Sequence, residues 1–120
     1  MTRKEYLQYF ETTVQEMYEL TKRKNHDYSN DSNPFANFTR VEAMDICTTE
    51  VGFLTRMMDK MSRISTFVKK GELKVKDESV KDTLKDLATY SILFMAYLDS
   101  LNINESKNYK KRSKSNKRRN

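Results

Sequence analysis

The chain contains very few of the residues that interrupt helices. Of its 120 residues, two are glycine, Gly52 and Gly71, and one is proline, Pro34. Hairpins and sheets need such residues at their turns, so their scarcity favours long helices joined by few loops. The sequence therefore predicts an all-α fold.

Apolar residues recur at helical spacing in three segments, residues 2–21, 41–68 and 77–101. Between the first two, residues 25–39 lose this periodicity and are rich in Asn, Asp and Ser, which predicts a long loop of the kind that carries function. We expect a small antiparallel bundle of three main helices with that loop after the first. Residues 69–76 are too few for anything but a direct turn between the second and third helices.

Two helix ends have recognisable signals. Thr2 is a predicted N-cap, because Glu5 follows three residues later as in a capping box. Lys69 and Lys70 followed by Gly71 predict the end of the second helix.

The second and third predicted helices are apolar on more than one face. A helix of this kind needs a further neighbour, and no fourth helix is predicted. We therefore expect oligomerisation to complete the bundle, as a homodimer with a helical interface.

Charge divides the chain into two parts. Residues 107–120 hold eight of the 23 Lys and Arg and none of the Asp and Glu. Residues 1–106 therefore carry 15 basic against 17 acidic residues, a net charge of −2. We expect one folded domain, residues 1–106, and a basic flexible tail, residues 107–120. The tail either contacts nucleic acid phosphates without sequence specificity or serves as a solubilising terminus.

The remaining composition indicates a soluble cytoplasmic protein. Cys47 is the single cysteine, so neither a disulfide within the chain nor a zinc site built on several thiols is expected. No apolar run reaches the roughly 18 residues that a membrane span needs, and the first residues do not have the pattern of a signal peptide.

Three acidic residues, Glu78, Asp82 and Asp86, follow one another at four-residue steps. Such carboxylates stack on one face of a helix and repel each other unless a cation lies between them. In an antiparallel pair of helices with a short turn, residues whose numbers sum to about 145 lie at one level. The residues of the second helix at that level are Arg56, Asp59, Lys60 and Arg63.

Two interpretations of this group compete. In the first, Arg63 pairs with Asp82 and Lys60 with Asp86 as ordinary ion pairs. In the second, carboxylates bind Mg²⁺ while Arg and Lys bind the phosphates of a nucleotide. The preceding loop favours the second interpretation, because it supplies amides, rings and charges suited to a base and sugar. These candidate ligand-binding residues are Lys24, Asp27, Tyr28, Asn37 and Phe38.

Four short motifs span residues 24–90. They are Lys24-x-x-Asp27-Tyr28, Phe35-Ala36-Asn37-Phe38, Arg56-x-x-x-Lys60-x-x-Arg63 and Asp77-Glu78-Ser79-x-x-Asp82-Thr83-Leu84-x-Asp86-Leu87-Ala88-x-Tyr90. This pattern resembles the nucleotide modification associated domain 1 family of bacteriophages, which is placed near the MazG-like and dimeric dUTPase group of all-α nucleoside triphosphate pyrophosphohydrolases.

The resemblance implies a dimeric or tetrameric phage protein that acts on nucleotides in the cytoplasm of the infected bacterial host. It also implies a magnesium site on the second and third helices, with Glu78, Asp82, Asp86 and Asp59 as metal ligands. If hydrolysis of modified or ordinary dNTPs occurs, the first three are the catalytic candidates, and Lys60 and Arg63 would stabilise the leaving pyrophosphate.

The carboxylates depart from the pattern of those hydrolases in one respect. The hydrolases use Glu-x-x-Glu on one helix and Glu-x-x-Asp on the next, whereas this chain has Asp59 at the first place and Thr83 three residues before Asp86. Nucleotide binding is therefore better supported than hydrolysis. The alternatives are a binder of a nucleotide or nucleotide signal without turnover, and a phage factor that binds DNA, RNA or protein, using the basic tail.

Overall fold

The computed structural model describes the backbone of residues 1–28, 33–75 and 78–116, and the side chains of residues 1–24, 33–75 and 78–102. Within these ranges it has four helices and no β-strand: α1 (Arg3–Tyr28), α2 (Ala36–Ala43), α3 (Thr49–Lys70) and α4 (Val80–Asn116). The all-α prediction is confirmed. No described helix is both long and apolar enough to cross a membrane.

The start of α1 has the predicted capping box. The backbone N–H of Glu5 donates to Thr2 Oγ1 at 3.2 Å, and the N–H of Thr2 donates to Glu5 Oε2 at 3.1 Å. The helix continues to Tyr28. It therefore includes the first residues of the segment 25–39 that the sequence predicted as a loop.

The prediction of one long second helix was wrong, because residues 44–48 interrupt it and divide the segment into α2 and α3. Asp45 adopts a left-handed conformation, with φ of 61°, which aspartate tolerates better than most residues. Thr48 then caps α3, because its Oγ1 accepts a hydrogen bond from the N–H of Val51 at 3.2 Å. At Gly52 α2 approaches α3 closely, since a Cβ there would lie 3.2 Å from Val41 Cγ2.

The end of α3 is as predicted. Gly71 is left-handed, with φ of 76°, and its N–H donates to the Phe67 carbonyl oxygen at 2.7 Å. The chain then returns as α4, whose first turn is capped by Ser79 Oγ accepting from the N–H of Asp82 at 3.1 Å.

Helix α4 begins and ends later than the sequence predicted. It starts at Val80 and continues to Asn116, well past Leu101. No glycine or proline follows Leu101 to stop the helix. Of the predicted tail, residues 117–120 lie outside the described residues.

The core is a small aromatic cluster between α2, α3 and α4. Among the described residues the buried apolar side chains are Phe38, Phe53 and Tyr97. Phe53 is fully buried, stacks on Phe38 with ring centroids 3.9 Å apart, and contacts Phe94 at 4.6 Å. This cluster is the centre of the packing in the single chain. Many large apolar residues of α1, α3 and α4 remain exposed outside it.

Candidate functional site

A cavity of about 620 Å³ lies between α1, α4 and the residues around α2. Cavities of this size and of mainly apolar lining are typical of small-molecule sites. Its walls are Val14, Met17, Tyr18, Thr21 and Lys24 from α1, Thr89, Tyr90, Ile92, Leu93 and Ala96 from α4, and Pro34, Asn37, Phe38 and Arg56.

Helical periodicity explains the two long walls. The α1 residues follow at steps of one to three and share one face, and the α4 residues do the same. The polar groups of the lining include Lys24, Asn37 and Arg56, three of the residues that the sequence predicted as ligand-binding. Phe38, also predicted, lies at the junction of the cavity and the aromatic core, with Tyr90 edge-on to its ring at 6.0 Å.

A chain of ion pairs leads from the cavity along α3 and α4. Lys24, which lines the cavity, approaches Asp86 at 4.0 Å. Asp86 accepts Lys60 at 3.1 Å, and Lys60 approaches Glu78 at 3.4 Å. Glu78 in turn pairs with Arg63. The pair of Lys60 with Asp86, which the ion-pair interpretation of the sequence proposed, is present and fits the predicted antiparallel level.

The ion-pair interpretation also paired Arg63 with Asp82, and this was wrong. Arg63 pairs with Glu78 and, at 3.3 Å, with Asp59, while Asp82 is exposed. The reason is the start of α4: Ser79 caps the helix, so Glu78 precedes it and turns towards α3. Glu78 therefore does not stand in one helical stripe with Asp82 and Asp86.

The environment of Lys60 and Glu78 favours their charged forms. Burial alone would lower the pKa of Lys60, but the hydrogen bond and the charge of Asp86, together with Glu78, raise it above 10.5. Burial alone would raise the pKa of Glu78, but the Thr83 hydrogen bond and the charges of Lys60 and Arg63 bring it below 4.5. Each group is thus held ionised by its partners.

Acidification should therefore weaken the fold through Glu78. A carboxyl group whose folded pKa is lowered contributes stability that is present above its unfolded pKa and is lost as the pH falls through the folded pKa. We expect the stability advantage of the wild type over Glu78→Gln to be largest above pH 4.5 and to disappear at lower pH. Urea unfolding of both proteins between about pH 6 and about pH 3 measures this. A difference that stays constant over that range would contradict the assignment.

The described residues do not bring the predicted magnesium ligands together into one group. No group of three or more His, Cys, Asp or Glu side chains in the described part of the chain is close enough to hold a metal ion. Asp59 pairs with Arg63, while Glu78 and Asp86 share Lys60. The side chain of Asp27 lies outside the described residues, and magnesium binding stays a prediction.

A second polar cluster, which the sequence did not predict, surrounds Tyr97. Thr49, fully buried, donates its hydroxyl to Glu42 Oε2 at 3.3 Å. Burial raises the pKa of Tyr97, the hydrogen bond with Thr49 opposes this, and the neighbouring Glu50 and Glu42 add to it. Glu50, in the first turn of α3, belongs to this separate cluster.

The predicted site residues are thus distributed over two adjoining regions. Lys24, Asn37, Phe38 and Arg56 line the cavity, and Lys60, Arg63, Asp59, Glu78 and Asp86 form the ion-pair chain. The side chains of Asp27 and Tyr28 lie outside the described residues. The α1 wall, including Tyr18, was missed, although its amphipathic stripe was visible in the sequence.

Comparison with known proteins gives one family. No curated protein and no solved structure matches the chain significantly. Residues 24–98 match the family described as nucleotide modification associated domain 1. This range contains most of the cavity lining and the whole ion-pair chain. Since the match covers more than half of the sequence, the chain belongs to the nucleotide modification associated domain 1 family.

Proposed function

We propose that the protein is a phage nucleotide-binding protein whose cavity takes the base and sugar and whose lysines and arginines take the phosphates. The observation that carries the proposal is the position of Lys24, which lines the apolar cavity and also begins the ion-pair chain. A nucleotide is likewise divided into an apolar and a charged part: its base is a flat, largely apolar ring at one end, and its phosphates carry anionic oxygens at the other.

The cavity offers a suitable environment for a base. Aromatic side chains, Tyr18, Phe38 and Tyr90, lie along its lining, and stacking on such rings tolerates any base. The Asn37 Oδ1 accepts a hydrogen bond from Arg40 at 3.1 Å, and its amide N–H groups can donate to the edge of a base. Arg56 adds a cation to the same lining.

The ion-pair chain offers a suitable environment for phosphate. Lys60 is only 13% exposed and keeps its charge through Asp86 and Glu78. A phosphate that reached Lys24 and Lys60 would compete with Asp86 for both cations, because charged hydrogen bonds to phosphate are as strong as those to carboxylate. Binding would therefore exchange the partner of both cations, and Asp86, whose side chain is 27% exposed, would be left to water.

Hydrolysis of the bound nucleotide is a second, more specific hypothesis within this proposal. A pyrophosphohydrolase would use Asp82, Asp86 and Glu78 as its acidic residues, as the likeness to MazG-like proteins implies. The acidic side chains of the ion-pair chain are partnered with Lys or Arg, so the geometry supports binding more directly than hydrolysis.

Incubation of the purified chain with each dNTP, with and without Mg²⁺, tests the proposal. We expect each triphosphate to bind at least about tenfold more tightly than its nucleoside, because the phosphates add charged hydrogen bonds. Release of pyrophosphate would identify an enzyme, and recovery of the intact ligand would identify a binder.

The matched control is the full chain with Lys110, Lys111 and Arg112, three residues of the basic segment 107–120, replaced by Gln. Triphosphate affinity should survive this change. Loss of all binding in this variant, or equal affinity for nucleoside and triphosphate, would overturn the proposal, and the first result would assign binding to the basic segment.

A further inference from the structure

Two cations line the cavity, Lys24 and Arg56, and they differ in how far the fold already uses their charge. Lys24 lies 4.0 Å from Asp86 and belongs to the ion-pair chain. Arg56 is exposed, and no carboxylate of the described residues lies within ion-pair distance of its guanidinium group. In the described part of the chain, Arg56 is therefore the cation of the lining whose charge is left for a ligand.

Arg56 lies close to the expected position of the base. Lys60 of α3 pairs with Asp86 of α4 at 3.1 Å. Arg56 comes one turn before Lys60, and Tyr90 comes one turn after Asp86, so Arg56 and Tyr90 lie at the same level of the two antiparallel helices. Both residues line the cavity. A nucleotide whose base stacks on Tyr90 therefore meets Arg56 first, and Lys60 about 6 Å further along α3.

The ion-pair chain beyond Arg56 carries no net charge. Its three cations are balanced by three carboxylates: Lys24, Lys60 and Arg63 by Asp86, Glu78 and Asp59. A phosphate that binds one of these cations displaces a carboxylate, and charged hydrogen bonds to the two anions are of similar strength. The displaced carboxylate then repels the phosphate. Lys60 is still needed, because without it Asp86 and Glu78 would repel every phosphate of the ligand.

We propose that the ligand of this site is a nucleoside monophosphate, whose single phosphate binds Arg56, and that further phosphates add little affinity. Monophosphate binding at Arg56 depends on the proposed function, since it requires the base to lie in the cavity. A guanidinium group presents parallel N–H donors that match the oxygens of one phosphate. The first phosphate thus gains charged hydrogen bonds without displacing a carboxylate, whereas a second or third phosphate must compete with Asp86.

Calorimetric titration with each deoxynucleoside and its 5′-mono-, di- and triphosphate, at one ionic strength, tests the proposed ligand class. We expect the monophosphate to bind about 10- to 100-fold more tightly than the nucleoside, which is the effect of gaining a charged hydrogen bond. The di- and triphosphate should bind within about threefold of the monophosphate, because their additional phosphates only replace one anion with another.

Arg56→Gln removes the proposed phosphate ligand. It should lower the affinity for the monophosphate about 10-fold or more, to near that of the nucleoside, and should change nucleoside affinity little. Lys70→Gln is the matched control, since it removes one positive charge from the last turn of the same helix, outside the cavity lining. It should leave both affinities within about twofold of the wild type. Both variants should keep the helical circular dichroism of the wild type, because both side chains are exposed.

The outcomes separate this proposal from the proposed function. A triphosphate that binds about tenfold or more tightly than its monophosphate would overturn the monophosphate assignment and leave nucleotide binding in the cavity intact. A monophosphate gain that survives Arg56→Gln, or that Lys70→Gln abolishes equally, would also overturn it. If neither the nucleosides nor their phosphates bind, the proposed function fails as well.

Discussion

Replacing Phe53 with alanine should lower the free energy of unfolding by about 3–5 kcal/mol, the usual cost of removing a buried phenylalanine ring. Phe53 is fully buried and its ring contacts Phe38, Phe94 and Tyr97. Phe53 is one of three buried apolar side chains in the described residues, so its ring is a large share of the core. We expect a large part of the protein to be unfolded at 25 °C.

The matched control is Phe10→Ala, the same substitution at a residue that is 56% exposed on α1. Its cost should stay within about 0.5 kcal/mol, as for most surface positions. Urea unfolding followed by circular dichroism, at one fixed protein concentration, compares the two. Equal losses for both variants would mean that the aromatic cluster is not the centre of the fold.

Replacing Lys60 with methionine should weaken the binding of nucleoside triphosphates about 10- to 100-fold, which corresponds to the loss of a charged hydrogen bond. The substitution removes a cation between Asp86 and Glu78 and leaves their negative charges facing the incoming phosphates. The affinity for nucleosides should change little, because Lys60 is not part of the cavity lining.

Lys85→Met is the matched control for this prediction. Lys85 is the neighbour of Asp86 on α4, but it pairs with Glu16 of α1, outside the ion-pair chain. Calorimetric titration with one triphosphate and its nucleoside should show a loss for Lys60→Met alone. A similar loss in both variants would indicate a general effect of positive charge and would contradict the role of Lys60.

The sequence allowed correct prediction of features that depend on neighbouring residues. The capping box of Thr2 and Glu5 and the left-handed Gly71 each follow from chemistry within one turn of helix. The sequence also predicted that Lys60 and Asp86 lie at one level of the bundle, because a short turn leaves two antiparallel helices little freedom to slide along each other.

Predictions failed where two local preferences compete. The apolar spacing of residues 41–68 continues through Asp45, so periodicity alone gave one helix, yet the cap at Thr48 favours a new start. In the same way Ser79 caps α4 and moves Glu78 out of the helix, which changes the partner of Arg63.

The cavity could be predicted only in part. Lys24, Asn37, Phe38 and Arg56 carry polar or aromatic groups that suggested ligand binding. The opposite wall depends on which face of α4 meets α1, and the sequence does not determine that packing. Residues such as Val14 and Ile92 look like ordinary core positions until the two helices are placed together.

A crystal structure of the chain with a non-hydrolysable deoxynucleoside triphosphate tests the central claim most directly. It should show the base between α1 and α4 beside Phe38 and Tyr90, with a phosphate oxygen within about 4 Å of the ammonium groups of Lys24 and Lys60. A nucleotide bound away from this cavity, with the pair of Lys60 and Asp86 undisturbed, would contradict the account.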